Sequence, residues 1–112
     1  MNLQEGEVLI LDGMGEYNKS FWKTIDGTFY LTNRRLAFYQ PNKGFRFLLG
    51  DIGANVVKGT VPVLELALKD IKSIKESGVT YDFITPAGKF NFQFRKNKVW
   101  IDAIKKAIKE AK

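Results

Sequence analysis

The chain has no cysteine and no histidine among its 112 residues. Without cysteine there is no disulfide framework and no thiol chemistry, which fits a reducing cytosol, although cysteine-free secreted domains also exist. Without histidine the commonest acid–base residue near neutral pH is missing, and so is the commonest metal ligand. The two absences argue against zinc and iron and leave open only an all-oxygen calcium or magnesium site. No cofactor is expected. No apolar run approaches the roughly 18 residues that a transmembrane helix needs. Met1-Asn2-Leu3-Gln4-Glu5 has no basic region leading into an apolar stretch, so no secretory signal is read. A Gly-x-x-x-x-Gly-Lys phosphate loop and a nucleophile elbow are also missing.

What is present suits one small domain. Hydrophobic residues make up 45% of the chain, enough for a single core without staples. One domain over 1–112 is expected, with its core over about 5–111. The net charge of +6 is unevenly placed. Residues 89–112 hold eight Lys/Arg against Asp102 and Glu110, whereas the first thirty residues are net acidic. Such polarity favours contact with acidic surfaces, and it serves solubility equally well.

Strand patterns dominate. Val8-Leu9-Ile10-Leu11 reads as a short buried strand. Gly13, Gly15 and Asn18 then loosen the chain, and Phe21-Trp22 opens a second apolar patch able to extend the first hairpin. Asp26-Gly27 reads as a turn. The run Gly27–Tyr39 forms a hairpin with Asn33-Arg34 at its tip, and Phe29, Leu31, Leu36 and Phe38 share its buried face. Pro41 ends that strand.

Residues 41–62 are irregular and contain Gly44, Gly50, Gly53 and Gly59. They are long for a loop, and either an extra strand at 45–49 or a helical turn near 51–57 would fit. Leu64, Leu66 and Leu68 alternate with Glu65, Ala67 and Lys69, and Val79, Tyr81 and Phe83 follow the same period. Phe90, Phe92 and Phe94 alternate most cleanly, against Lys89, Asn91, Gln93 and Arg95. The period then changes to 3.6. Asn97 reads as an N-cap, and Trp100, Ile104, Ala107, Ile108 and Ala111 form the apolar stripe of a terminal amphipathic helix. The total is seven short strands and one helix.

Three stretches carry a resemblance to the GRAM domain, a branch of the pleckstrin-homology-like (PH-like) superfamily. Gly27-Thr28-Phe29-Tyr30-Leu31-Thr32-Asn33-Arg34-Arg35-Leu36-Ala37-Phe38-Tyr39 resembles its L-T-N-x-R-L signature. Leu66-Ala67-Leu68-Lys69-Asp70-Ile71-Lys72-Ser73-Ile74 resembles "I-P-L-x-D-I-x-S-V", with Ala67 where proline is usual. Tyr81–Phe92 followed by Trp100 completes the order, over roughly 25–110. The 41–62 segment is longer than the family's minimal loop. The resemblance implies a mainly β fold: a bent barrel of seven strands, split four and three, with the C-terminal helix plugging an open corner. Trp100, Ile104 and Ile108 would cap it.

The same resemblance implies a non-enzymatic binding or adaptor domain, cytoplasmic and peripheral at a membrane, that contacts anionic lipid head groups or a protein partner. In lipid-binding PH-like domains the loops after the first and third strands meet at the open end. By that analogy Lys19, Lys23, Lys43, Arg46, Lys58 and Lys89 are the candidate anion-binding residues. Arg34 and Arg35 fall at the far end. The apolar residues of 41–62 allow three readings: packing over the barrel, a homo-oligomer surface using Phe45, Phe47, Leu48 and Ile52, or shallow membrane insertion by Phe45, Phe47 and Leu48. Nucleic-acid binding is not expected. Alternation puts Phe90, Phe92 and Phe94 on the face opposite Lys89 and Arg95, whereas a stacking platform needs rings and cations together. Tyr30, Tyr39 and Trp22 are better exposed but match no RNA-binding signature. Asp12, Glu16, Asp26 and Asp70 lack the cleft that paired catalytic carboxylates require, and turn chemistry accounts for Asp26 and Asp70.

Overall fold

A computed structural model describes residues 2–41 and 60–111. Seven antiparallel strands form one sheet: β1 (Leu9–Ser20), β2 (Lys23–Thr32), β3 (Arg35–Pro41), β4 (Thr60–Ala67), β5 (Ser73–Ser77), β6 (Thr80–Thr85) and β7 (Gly88–Phe94). A 3-10 turn, Leu68–Asp70, links β4 to β5, and α1 (Asn97–Ala111) closes the described chain. The strand order is β4-β3-β2-β1-β7-β6-β5. Strand β1 pairs with β2 along nearly its whole length but with β7 only over Gly15–Asn18. That four-residue seam joins a four-stranded half to a three-stranded half. Among the described residues, strands β4 and β5 are the edges, and the sheet is bent but not closed.

The core is aromatic. Phe29 lies at its centre, with ring centroids 4.6 Å from Phe38, 4.5 Å from Phe94 and 5.2 Å from Phe92. Trp100 of α1 stacks on Phe94 at 5.0 Å with a 10° tilt. Leu31, Leu36, Leu66, Leu68, Ile104 and Ala107 complete the packing. Leu64, Phe90 and Ile108 lie partly buried against it, and Phe83, Ile71 and Ile101 join it from β6, the β4–β5 connection and α1. The predicted phenylalanine alternation and the helical stripe therefore both face inward, apart from Ala111, which is exposed.

Four local expectations need correction. Gly13 and Gly15 do not loosen the chain, because β1 runs through both. Asp26-Gly27 is not a turn but the middle of β2. A Cβ on Gly15 would meet the Gln93 carbonyl and the Phe29 ring at 2.6 Å, and one on Gly27 would meet the Tyr39 carbonyl at 2.2 Å. Gly15 and Gly27 face each other across the ladder, and neither has a positive φ. They are glycine because large rings and neighbouring strands crowd the space above them.

The Val8–Leu11 run is not buried. Val8 is exposed, as are Leu9 and Ile10, because the register shifts between Leu9 and Leu11 and only Leu11 turns toward the core. Asn97 does not serve as the expected N-cap: its side chain accepts the Phe94 N–H at 2.8 Å and donates to the Val79 carbonyl at 2.9 Å, tying the helix start to β7 and the β5–β6 turn.

Candidate functional site

The β1–β2 connection is the most exposed apolar point of the described residues. Ser20 pairs with Lys23, so Phe21 and Trp22 alone form the turn. Two-residue hairpin turns favour Asn-Gly or Asp-Gly. Here two large aromatics occupy the turn, and Phe21 is 91% exposed and Trp22 88%. Their rings meet edge to face at 4.9 Å. Lys19 and Lys23 flank them and are also exposed.

The base of this hairpin is braced. Thr24 donates to Asn18 Oδ1 at 2.8 Å, and Asn18 Nδ2 donates to Asn91 Oδ1 at 2.7 Å. Asn91 Nδ2 in turn reaches Thr80 Oγ1 at 2.9 Å and Asp82 Oδ1 at 2.8 Å. A polar ladder thus runs from β2 across β1 and β7 to β6 and fixes the direction in which the tip points.

Of the six predicted cations, Lys19 and Lys23 bracket the tip. Lys89 pairs with Ile84 of β6, beyond the last β1–β7 pair, Asn18 with Asn91. Lys43, Arg46 and Lys58 lie outside the described residues, as do Phe45, Phe47, Leu48 and Ile52. Sequence reading missed Phe21 and Trp22 as a site and took them for part of the hairpin. The available signal was two adjacent aromatics bracketed by lysines in a two-residue gap between strand patterns. Of the other exposed-aromatic candidates, Tyr30 and Tyr39 are half-buried and stack edge to face at 5.5 Å.

Arg34 and Arg35 sit at the opposite end of β2, ten residues and up to about 30 Å from the tip. Among the described residues no group of three or more acidic, histidine or cysteine side chains is placed to hold a metal ion. Asp26, far from turning the chain, lies opposite Glu16 on the outer face of the sheet. No described helix is long and apolar enough to cross a membrane.

No protein-family model matches the chain, and no curated protein does. Solved structures do match its fold. The linker-DH/PH domains of p115-RhoGEF align with a TM-score of 0.74 at 11% identity over 95% of this chain and 30% of that one. The DH/PH domains of PDZ-RhoGEF, in a complex with activated RhoA, align at 0.68 and 15% identity over 96% and 31%. The Vps36 N-terminal PH domain aligns at 0.62 and 19% identity over 96% and 83%. The chain thus spans under a third of the RhoGEF fragments and most of the Vps36 domain. The fold is that of a PH-like domain.

Proposed function

We propose that the chain is a non-enzymatic binding domain of the GRAM type that docks reversibly on anionic membrane surfaces, tip first, as a peripheral cytoplasmic protein. The observation that carries this reading is the aromatic pair Phe21-Trp22, nearly wholly exposed at a hairpin tip and bracketed by Lys19 and Lys23. Apolar rings in water have a standing tendency to leave it, of about 1.5–3 kcal/mol per large side chain. Tryptophan favours the boundary between headgroup and acyl chain, where its ring is buried and its N–H stays wet. Each lysine near an anionic leaflet adds about 1 kcal/mol. The combined few kcal/mol correspond to millimolar-to-micromolar partition, a reversible association. The polar ladder beneath the tip supports the same reading, because a braced hairpin loses little freedom on docking. The GRAM assignment is supported by the Gly27–Tyr39 signature, which falls on β2 and β3.

Flotation with phosphatidylserine-containing and pure phosphatidylcholine vesicles tests the proposal. Trp100 is buried and Trp22 exposed, so a blue shift of tryptophan emission on mixing reports the tip. The expected result is flotation with the anionic vesicles, with the shift lost in Trp22→Phe. Equal recovery with both vesicle types, or no flotation, overturns the proposal.

A further inference from the structure

The far end of β2 holds a dense polar cluster, and most of its arms grip one segment, while Arg35 Nη1 also reaches the Glu65 carboxylate of β4 at 3.2 Å. Glu7 is a buried carboxylate. Arg35 Nε donates to its Oε2 at 2.8 Å and Arg35 Nη2 to its Oε1 at 2.9 Å. The Thr32 hydroxyl donates to Oε2 at 2.6 Å, and the Gln4 N–H donates to Oε1 at 2.9 Å. Both carboxylate oxygens are thus filled by a two-pronged guanidinium, a hydroxyl and an amide.

The rest of the Thr32–Arg35 turn holds the flanking backbone. Asn33 Oδ1 accepts the Val8 N–H at 2.9 Å, and the Asn33 N–H donates to the Val8 carbonyl at 3.1 Å. Asn33 Nδ2 donates to the Gly6 carbonyl at 3.2 Å. Arg34 Nη1 reaches Gln4 Oε1 at 3.3 Å, and Arg35 Nη2 reaches the Asn2 carbonyl at 2.8 Å. Apolar anchoring is weak, since Leu3 and Val8 are exposed at 47% and 61%. Residues 2–8 are therefore held chiefly by hydrogen bonds to one tetrapeptide and contribute little to the core.

We infer that Thr32-Asn33-Arg34-Arg35 is a latch for a short turn-bearing segment, residues 2–8, and that this strap opens as a unit while the sheet stays folded. The Arg35–Thr32 fork is the carboxylate-binding site on which the latch turns, and Glu7 is its ligand. Segments with few apolar contacts and exposed hydrogen bonds open locally at lower free energy than the core. An open hollow of about 660 Å³ adjoins the latch and is lined by Gln4, Arg34, Lys69, Asp70 and Ala111 among others. Gln4 is the strap's contribution to its wall, so opening the strap widens it.

Native-state hydrogen exchange on the full chain tests this, because it separates a local opening from global unfolding. In the wild type, exchange at Val8 and Asn33, whose amides bridge strap and latch, is expected to be nearly independent of low urea, whereas exchange at Phe29, Leu31 and Phe92 falls on the global unfolding line. In Glu7→Gln the first group should exchange at least about tenfold faster and the second within about twofold of wild type. The inference is overturned if strap and sheet amides share one urea slope, or if Glu7→Gln speeds both groups by the same factor or neither. The wild-type arm decides the matter even if the variant does not fold.

Discussion

At one end of β2 two aromatic rings stand in water against each other, while at the other a carboxylate and a guanidinium are withdrawn from it. Both depart from the usual rule of apolar inside and charge outside, in opposite senses. The difference lies in how fully each is satisfied from within. Among the described residues no buried side-chain polar atom lacks a partner, so the far end is chemically complete. The tip is incomplete: its rings are held out by a braced hairpin and nothing in the described chain covers them. An apolar surface left uncovered is therefore at the tip, and a carboxylate paired within the same chain is at the latch.

The tip should give the largest effect. Phe21→Ser with Trp22→Ser should weaken vesicle partition by about 100-fold, taking roughly 1.5 kcal/mol per ring. The urea midpoint should move little, since the corresponding stability change is within about 0.5 kcal/mol for exposed sites. A large fall in stability would show that the rings are structural and would dissolve the contrast.

Next comes Arg35→Met. Stranding a buried carboxylate in a rigid site costs about 3–5 kcal/mol, but a strap that lets go returns Glu7 to water. Urea unfolding should therefore show a loss of only about 2 kcal/mol, the scale of charged hydrogen bonds. A loss at the upper figure would mean that the far end is as rigid as the core.

An effect of similar size is expected from pH. Hydrogen bonding from Arg35, ahead of that from Thr32 and Gln4, holds the Glu7 carboxyl down at about 2 against an ordinary 4.5. The folded value is depressed, so the stabilisation is complete above pH 4.5 and is lost as pH falls from there toward 2. Glu65, which also meets Arg35 at 3.2 Å, faces the same cluster and is partly exposed. Acid titration of stability by circular dichroism should show this loss in the wild type and a flatter profile in Glu7→Gln. The smallest effects belong to Lys19→Gln and Lys23→Gln, each weakening partition into anionic vesicles by about fivefold, with the penalty fading at high salt.

The sequence made the β2–β3 hairpin, the Phe90–Phe94 alternation and the terminal helix legible, because each is a local period with a buried face. It misled where a residue's reason lies on another strand. Gly27 follows Asp26 as turns require, yet it is glycine because the Tyr39 carbonyl stands over it. Val8-Leu9-Ile10 looked buried because composition does not reveal a register shift. Two of the six candidate cations, Lys19 and Lys23, flank the tip, and they were readable only through the family likeness. Phe21 and Trp22 read as an apolar extension of the hairpin, with Trp22 exposed but matching no signature, because an aromatic at a turn has the same letters as one in a core. The pairing of Glu7 with Arg35 spans 28 positions and leaves no local mark.

The narrow junction between the halves has a mechanical consequence. Strand β1 leads from the tip and is shared by both halves, but only the Gly15–Asn18 pairs bind it to β7. A tug on Phe21 and Trp22 by a fluctuating bilayer would load that stitch along its length. Four rungs strained together resist such shear better than four peeled one by one, so under the proposed docking the junction would meet traction from the membrane in its stronger direction.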